Sequence, residues 1–80
     1  MARVRLFAAL RELADATRVD APGTSVGEIV DALGERYGER FASIAAVGTF
    51  VVNGERATRG TPVADGDEVA LLPPVSGGVS

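Results

Sequence analysis

Three residue types that often carry protein chemistry are absent from this chain. It has no cysteine and no histidine, and its eight basic residues are all arginine. Without cysteine the chain cannot form a disulfide, a thiolate nucleophile or a sulfur-based metal site. Without histidine it lacks the commonest zinc ligand and the usual base near neutral pH. The absence of lysine excludes a Schiff base and the attachment of another protein to a side-chain amine.

Long apolar runs and basic clusters are absent as well. No stretch approaches the length of a membrane-spanning helix, and the N-terminal segment MARVRLFAAL lacks the apolar length and cleavage pattern of a signal peptide. The formal net charge is −3, and the arginines are scattered rather than aligned along a phosphate-binding face. These features predict a cytoplasmic protein that binds neither a membrane nor nucleic acid.

No sequence pattern typical of a catalytic, metal-binding or cofactor-binding site is found either. The acidic run Asp65-Gly66-Asp67-Glu68 lacks the ligand spacing of a calcium loop, and a turn explains it. The glycines fit no phosphate-loop or dinucleotide spacing. We therefore predict no metal, no stably bound cofactor and no enzymatic activity of the chain on its own.

The first part of the chain predicts a wide hairpin. Residues 3–8 alternate in polarity, with Val4, Leu6 and Ala8 facing the core. Phe7 shares the polar face with the arginines. This position favours two interpretations equally: a neighbouring element covers the Phe7 side chain, or Phe7 belongs to a partner-binding surface. Residues 17–21 form the second strand, and the connection between the strands has room for one helical turn.

The main helix is predicted after residue 25. Ser25 and Glu28 form a capping-box pattern, in which the Glu28 carboxylate would accept from the Ser25 amide. Apolar residues follow at helical spacing, and Gly38 suits the C-terminal end. A second short helical turn is expected over residues 41–46.

The second half predicts short strands and then a longer one. Asn53-Gly54 is a hairpin turn between strands at residues 49–52 and 55–58. Residues 64–67 form another turn, and residues 68–72 form the last strand. Val69 and Leu71 would face inward and Leu72 outward.

The order of these elements predicts an α+β roll with a mixed sheet packed on one main helix, the β-grasp arrangement of ubiquitin-like folds. The first and last strands would lie parallel at the centre of the sheet. With 80 residues there is room for one small domain, which we place at residues 1–74, followed by a flexible C-terminal tail at residues 75–80.

The C-terminal run LLPPVSGGVS has the features of a segment that inserts into a narrow pocket of a partner protein. Pro73 and Pro74 restrict the backbone to extended conformations and end the strand ladder, so the exit is stiff. Gly77 and Gly78 carry no side chains, so this part of the chain can enter a slot as narrow as a backbone.

Four segments resemble the MoaD/ThiS family of ubiquitin-like sulfur carriers, and most closely its MoaD group, the small subunits of molybdopterin synthase. Together they extend over nearly the whole chain: RLFAALRELA, SVGEIVDAL, VVNGE and DGDEVALLPPVSGG. The resemblance implies that an adenylyltransferase similar to ubiquitin-activating enzymes uses ATP to activate a C-terminal glycine, which then becomes a thiocarboxylate. The matching residue is Gly78, with Gly77 and Ser76 as the narrow neck of the tail.

The resemblance also implies protein partners. In this family the tail inserts into a larger catalytic subunit, usually within a heterotetramer, where the sulfur passes to a pterin precursor. We expect the partner-binding surface to comprise residues on the outward faces of neighbouring strands and at the tail base: Phe7, Leu72, Pro73, Pro74 and Val75.

The chain departs from the family pattern at Val79-Ser80, because an amide at Gly78 cannot be adenylated in place of a free carboxylate. Either a processing metallopeptidase removes these residues, or the tail carries no sulfur and serves only for binding. Other pathways that use such carriers, including cysteine, thiamine-like and secondary-metabolite biosynthesis, stay open. A ubiquitin-like modifier, joined through Gly78 to another protein, is the alternative from a different functional class.

Overall fold

The computed structural model describes residues 1–74. Over this range the chain forms five strands, which make one mixed sheet, and three helices. The elements are β1 Ala2–Leu6, α1 Ala8–Ala14, β2 Arg18–Ala21, α2 Val26–Tyr37, α3 Glu39–Ala46, β3 Thr49–Val52, β4 Glu55–Ala57 and β5 Glu68–Leu72.

The strand order is β2-β1-β5-β3-β4, which places the C-terminal strand in the middle of the sheet. β1 and β5 are parallel, with Leu6 opposite Leu71, and the other pairs are antiparallel. The β-grasp roll predicted from the sequence is therefore confirmed. Because β5 is the central strand, the chain leaves the sheet from the middle of the strand order and not from an edge strand.

The core is wholly apolar and lies between the sheet and the helices. Its largest fully buried side chains are Phe41, Leu10, Ile29, Leu33, Leu71, Val4, Val26, Val30 and Val69. No buried polar or charged residue is found within residues 1–74. The core contains no group that could act as an acid, a base or a ligand.

α2 begins and ends where the sequence predicts, but one capping contact differs. Ser25 Oγ accepts from the Glu28 amide at 3.2 Å, and Gly38 ends the helix. The Glu28 carboxylate, however, accepts from the Thr24 amide at 2.8 Å and the Thr24 hydroxyl at 3.1 Å, rather than from the Ser25 amide. The Glu28 carboxylate thus takes both of its donors from Thr24, while Ser25 caps the helix through its hydroxyl oxygen.

The predicted wide hairpin connection is instead the two-turn helix α1, and β1 ends at Leu6, before Ala8. Intrinsic propensity does not stabilise so short a helix, but tertiary packing can. Leu10 is completely buried and anchors the helix to the core. At its C-terminal end, Asp15 adopts a left-handed conformation, and its amide donates to the carbonyls of Arg11 and Glu12. The short turn expected at residues 41–46 is likewise longer, because α3 begins at Glu39.

The two predicted turns before β4 and β5 are present. Asn53 and Gly54 both have positive φ, at 51° and 85°, as a tight hairpin requires. In the second turn, the Asp67 carboxylate accepts from the Ala64 amide at 2.8 Å. Asn53 Oδ1 also accepts from the Glu68 amide at 3.0 Å, so the first turn fixes the start of β5.

Candidate functional site at the exit of the last strand

The described chain ends in an exposed, proline-stiffened exit from β5. Leu72 pairs with Thr49 of β3 and is the last residue of the strand. Pro73 is half-buried and Pro74 is exposed. Because proline has no amide hydrogen, the ladder cannot continue past Leu72 on this chain. The predicted site residues Val75, Ser76, Gly77 and Gly78 lie outside the described residues, as does the predicted tail at residues 75–80.

Gly48 lies directly against this exit. A Cβ atom at Gly48 would overlap the carbonyl oxygen of Leu72 and would lie 3.3 Å from the Cα of Pro73. A side chain at this position therefore requires the start of β3 or the end of β5 to move. The absence of a side chain at Gly48 allows the close backbone approach that sets where Pro73 leaves the sheet.

We expect Gly48→Ala to lower the free energy of unfolding by about 2 kcal/mol, the usual cost of forcing extra atoms into a packed site. Urea denaturation would measure the loss. The matched control is Gly60→Ala, since no atom lies within 4 Å of a Cβ at Gly60. Equal stability of the two variants would show that Gly48 does not constrain the exit.

The sheet has a second, outward face that carries an apolar patch next to the exit. Val69 and Leu71 are buried, so the alternate residues Ala70 and Leu72 face away from the core. Across the ladder, Ala70 is opposite Val51 of β3. Phe7 follows Leu6, which is opposite Leu71, and so it lies beside Leu72. We call Phe7, Val51, Ala70 and Leu72 the outer patch; all four are only partly buried.

Phe7 and Leu72 therefore lie together, as the sequence predicts. Phe7 is not in the strand but just after it, at the N-cap of α1. The Arg5 guanidinium lies 5.5 Å from the centre of the Phe7 ring, a cation–π contact that holds the ring against the sheet. Arg5 also approaches Glu68, with 3.9 Å between Nε and Oε2. Both charged side chains are about half exposed, so this ion pair contributes little to stability.

Basic side chains flank the outer patch. Register and alternation put six charged residues on this face, namely Arg3, Arg5, Arg18, Arg56, Asp20 and Glu68. Four positive and two negative side chains give this face a net charge of +2, although the net charge of the whole chain is −3. The negative charge of the protein is therefore concentrated elsewhere, and the outer patch suits a partner with an apolar centre and an acidic rim.

Sequence analysis did not identify some of the residues at this site. Val51 and Ala70 carry the alternation signal of their strands and could have been found from it. Val47 is 68% exposed at the C-terminal end of α3, next to Gly48, and gives no such signal. Gly48 itself could not have been found, because its neighbour Leu72 is distant in sequence.

The acidic run after β4 serves the turn and the N-terminus. The N-terminal amine of Met1 lies 2.7 Å from Asp65 Oδ1 and lowers the pKa of that carboxyl. The amide of Ala64, and secondarily Asn53, lower the pKa of Asp67. Within residues 1–74, no group of His, Cys, Asp or Glu side chains is placed to hold a metal ion. Over the same residues, no helix has the length and apolar character needed to cross a membrane.

Comparison with known proteins relates this geometry to a family. The profile of the ThiS family matches residues 4–78 of the chain. Small archaeal modifier protein 1 of Haloferax volcanii is 40% identical over 88 aligned positions, which cover 92% of this chain and 97% of that protein. The molybdopterin synthase sulfur carrier subunit of Mycobacterium tuberculosis is 39% identical over 79, with 94% of each chain covered.

A solved complex supplies a structural comparison. A chain of the Amycolatopsis orientalis BexX/CysO complex superposes with a TM-score of 0.80 at 27% identity, covering 98% of this chain and 100% of that one. The similarity extends over all the elements that position the exit and the outer patch.

Proposed function

This chain belongs to the ThiS family of ubiquitin-like sulfur carriers and modifiers, and from this premise we propose that it is the sulfur-carrier subunit of a molybdopterin synthase. The observation that carries the proposal is the exit of β5: an exposed Pro74 leaves the centre of the sheet beside the outer patch. In the sequence a diglycine follows at Gly77-Gly78. This geometry suits the delivery of a backbone carboxyl into the pocket of a larger protein.

The proposed chemistry uses only the main chain at Gly78, in agreement with the absence of cysteine. The Gly78 carboxylate attacks the α-phosphorus of ATP on an activating adenylyltransferase, forming an acyl adenylate and releasing pyrophosphate. Hydrosulfide provided by the sulfur source then attacks the carbonyl carbon, and AMP leaves. The product is a terminal thiocarboxylate, and this chain itself binds no cofactor stably.

The residues after Gly78, which are Val79 and Ser80 in this sequence, must be removed before the first step. The Gly78 carbonyl is an amide until then, and an amide oxygen is too poor a nucleophile to form the adenylate. We assign the removal to a processing metallopeptidase. We propose that residues 75–80 are a flexible tail, in which Ser76 and Gly77 form the narrow segment that enters the partner.

The outer patch and the tail base would bind the two successive partners. Phe7 and Leu72 provide the apolar centre, Pro73, Pro74 and Val75 lead towards the pocket, and the arginines match an acidic rim. The similarity to a chain of a two-protein complex supports binding to a larger subunit. We propose that the chain forms a heterotetramer with the catalytic subunit, as the resemblance to the MoaD group implies.

Two other functions have specific support. Small archaeal modifier protein 1 is as similar to this chain as the molybdopterin carrier is, which favours a modifier joined through Gly78 to lysines of other proteins. The similarity to the BexX/CysO complex, together with the extension past Gly78, favours a carrier for another biosynthetic pathway.

Deletion of the gene in the native organism tests the choice between pathways. We expect loss of molybdenum-cofactor-dependent enzyme activity and its recovery with a gene that ends at Gly78. Unchanged molybdoenzyme activity, with a requirement for cysteine or thiamine, would contradict the molybdopterin assignment and favour the second carrier pathway. Loss of diglycine-linked conjugates from the proteome would instead favour the modifier.

A further inference from the structure

The free edge of β2 lies on the opposite side of β1 from β5, and its backbone is available for pairing. β2 is the first strand in the sheet order, and within residues 1–74 only β1 pairs with it. The Leu6 amide donates to the Thr17 carbonyl at 2.9 Å, and these residues are opposite in the register. Because bonded and non-bonded pairs alternate in an antiparallel ladder, the peptide groups of Arg18 and Asp20 point away from β1.

A groove runs along this edge, between β2 and the C-terminal end of α2. Its volume is about 590 Å³. The lining is mainly apolar, with two arginines and one aspartate: Ala14, Ala16, Arg18, Val19, Asp20, Arg36 and Tyr37. Tyr37 is half-buried and packs on the core, and Val19 is nearly buried. The groove therefore has an apolar floor beneath backbone groups of β2 that are not paired with β1.

Arg36 shows how the edge can be occupied. Its guanidinium lies 5.1 Å from the centre of the Tyr37 ring, and Nη1 donates to the Asp20 carbonyl at 3.4 Å. That bond is long for an N–H donor, so an incoming backbone amide can replace it at little cost. Arg36 would then be free to pair with an acidic side chain of the incoming segment. With Arg18 and Asp20 the groove has a net charge of +1.

We propose that this edge groove binds an extended segment of a partner protein, with alternating apolar and acidic side chains, as an added strand beside β2. The main-chain bonds would come from Arg18 and Asp20, and the apolar side chains would lie on Val19 and Tyr37. The inference does not depend on the sulfur-carrier function.

The test uses the full chain and a synthetic peptide in which valine and glutamate alternate, with a valine–lysine peptide as the charge control. We expect the glutamate peptide to bind, measured by calorimetry, and to slow hydrogen exchange at the Arg18 and Asp20 amides. We expect Arg36→Glu to weaken binding by about fivefold, as the reversal of one rim charge would. Arg40→Glu, on α3 outside the groove, should have no effect.

A backbone variant separates strand addition from simple charge attraction. Asp20→Pro removes the outward-pointing amide without removing a bond to β1, and it also removes a negative charge that opposes the peptide. We expect Asp20→Pro to weaken binding at least about tenfold, because it removes one hydrogen bond to the peptide and its ring blocks the peptide's approach. Asp20→Asn keeps the amide and should bind the peptide as well as the wild type or better.

A second peptide, N-methylated at alternate residues, tests the same ladder if Asp20→Pro does not fold. We expect one of its two N-methylation registers not to bind the wild-type chain. Three outcomes would each overturn the proposal: no binding of the glutamate peptide, exchange protection on the outer patch instead of the β2 edge, or unchanged binding after the loss of the amides in both tests.

Discussion

A chain that ends at Gly78 is expected to become a thiocarboxylate when it is incubated with its activating enzyme, ATP and a sulfur source, whereas the 80-residue chain is not. The effect should be all or none, because adenylation needs a free carboxylate at Gly78. Intact mass spectrometry would read the exchange of one oxygen for one sulfur. Pyrophosphate release would report the adenylation step separately.

The matched controls concern the length and the shape of the end. A chain ending at Gly77 keeps a free glycine carboxylate but is one residue shorter, so it should bind the activating enzyme and react poorly. A Gly77→Val version of the chain ending at Gly78 keeps the length but adds a side chain to the neck, and it should also react poorly. Sulfur gain by the full 80-residue chain in the absence of a peptidase would contradict the account.

Leu72→Glu is expected to weaken binding to the activating and catalytic partners by roughly 100-fold while the domain still folds. The change removes an apolar contact from the centre of the outer patch and puts a carboxylate where the partner surface would leave it without water, at a combined cost of about 3 kcal/mol. The fold should persist because the Leu72 side chain lies on the sheet face away from the core. Calorimetry with each partner would measure the loss, and Phe7→Glu should act in the same direction.

Leu13→Glu is the control for this prediction. Leu13 is also an exposed leucine, 36% accessible, but it lies near the end of α1 rather than on the sheet. It should therefore leave the affinity for both partners unchanged. Equal affinity of Leu72→Glu and the wild type would remove the outer patch from the partner-binding surface.

Local chemistry was sufficient to predict most of the fold. The Asn53-Gly54 turn, the Ser25 cap and the Gly38 helix end each depend on neighbours in sequence, and all three are present. The same alternation that defines β5 as a strand also separates buried Leu71 from outward Leu72. From these elements the central position of β5, and hence the place where the tail leaves, followed from topology.

What the sequence did not reveal depends on contacts between distant residues. α1 is too short to be stable by itself, and the burial of Leu10 is not visible before the fold is known. Ala8 begins this helix with a φ of 51°, a conformation that no local preference of alanine would suggest. Gly48 looks like an ordinary loop glycine until Leu72 is placed beside it.

The intact mass of this protein, purified from its native cells, tests most directly whether its reactive group is a main-chain carboxyl. We expect a species that ends at Gly78 and carries one sulfur in place of one oxygen. A population made up only of chains that retain Val79-Ser80, with no sulfur gained, would contradict it.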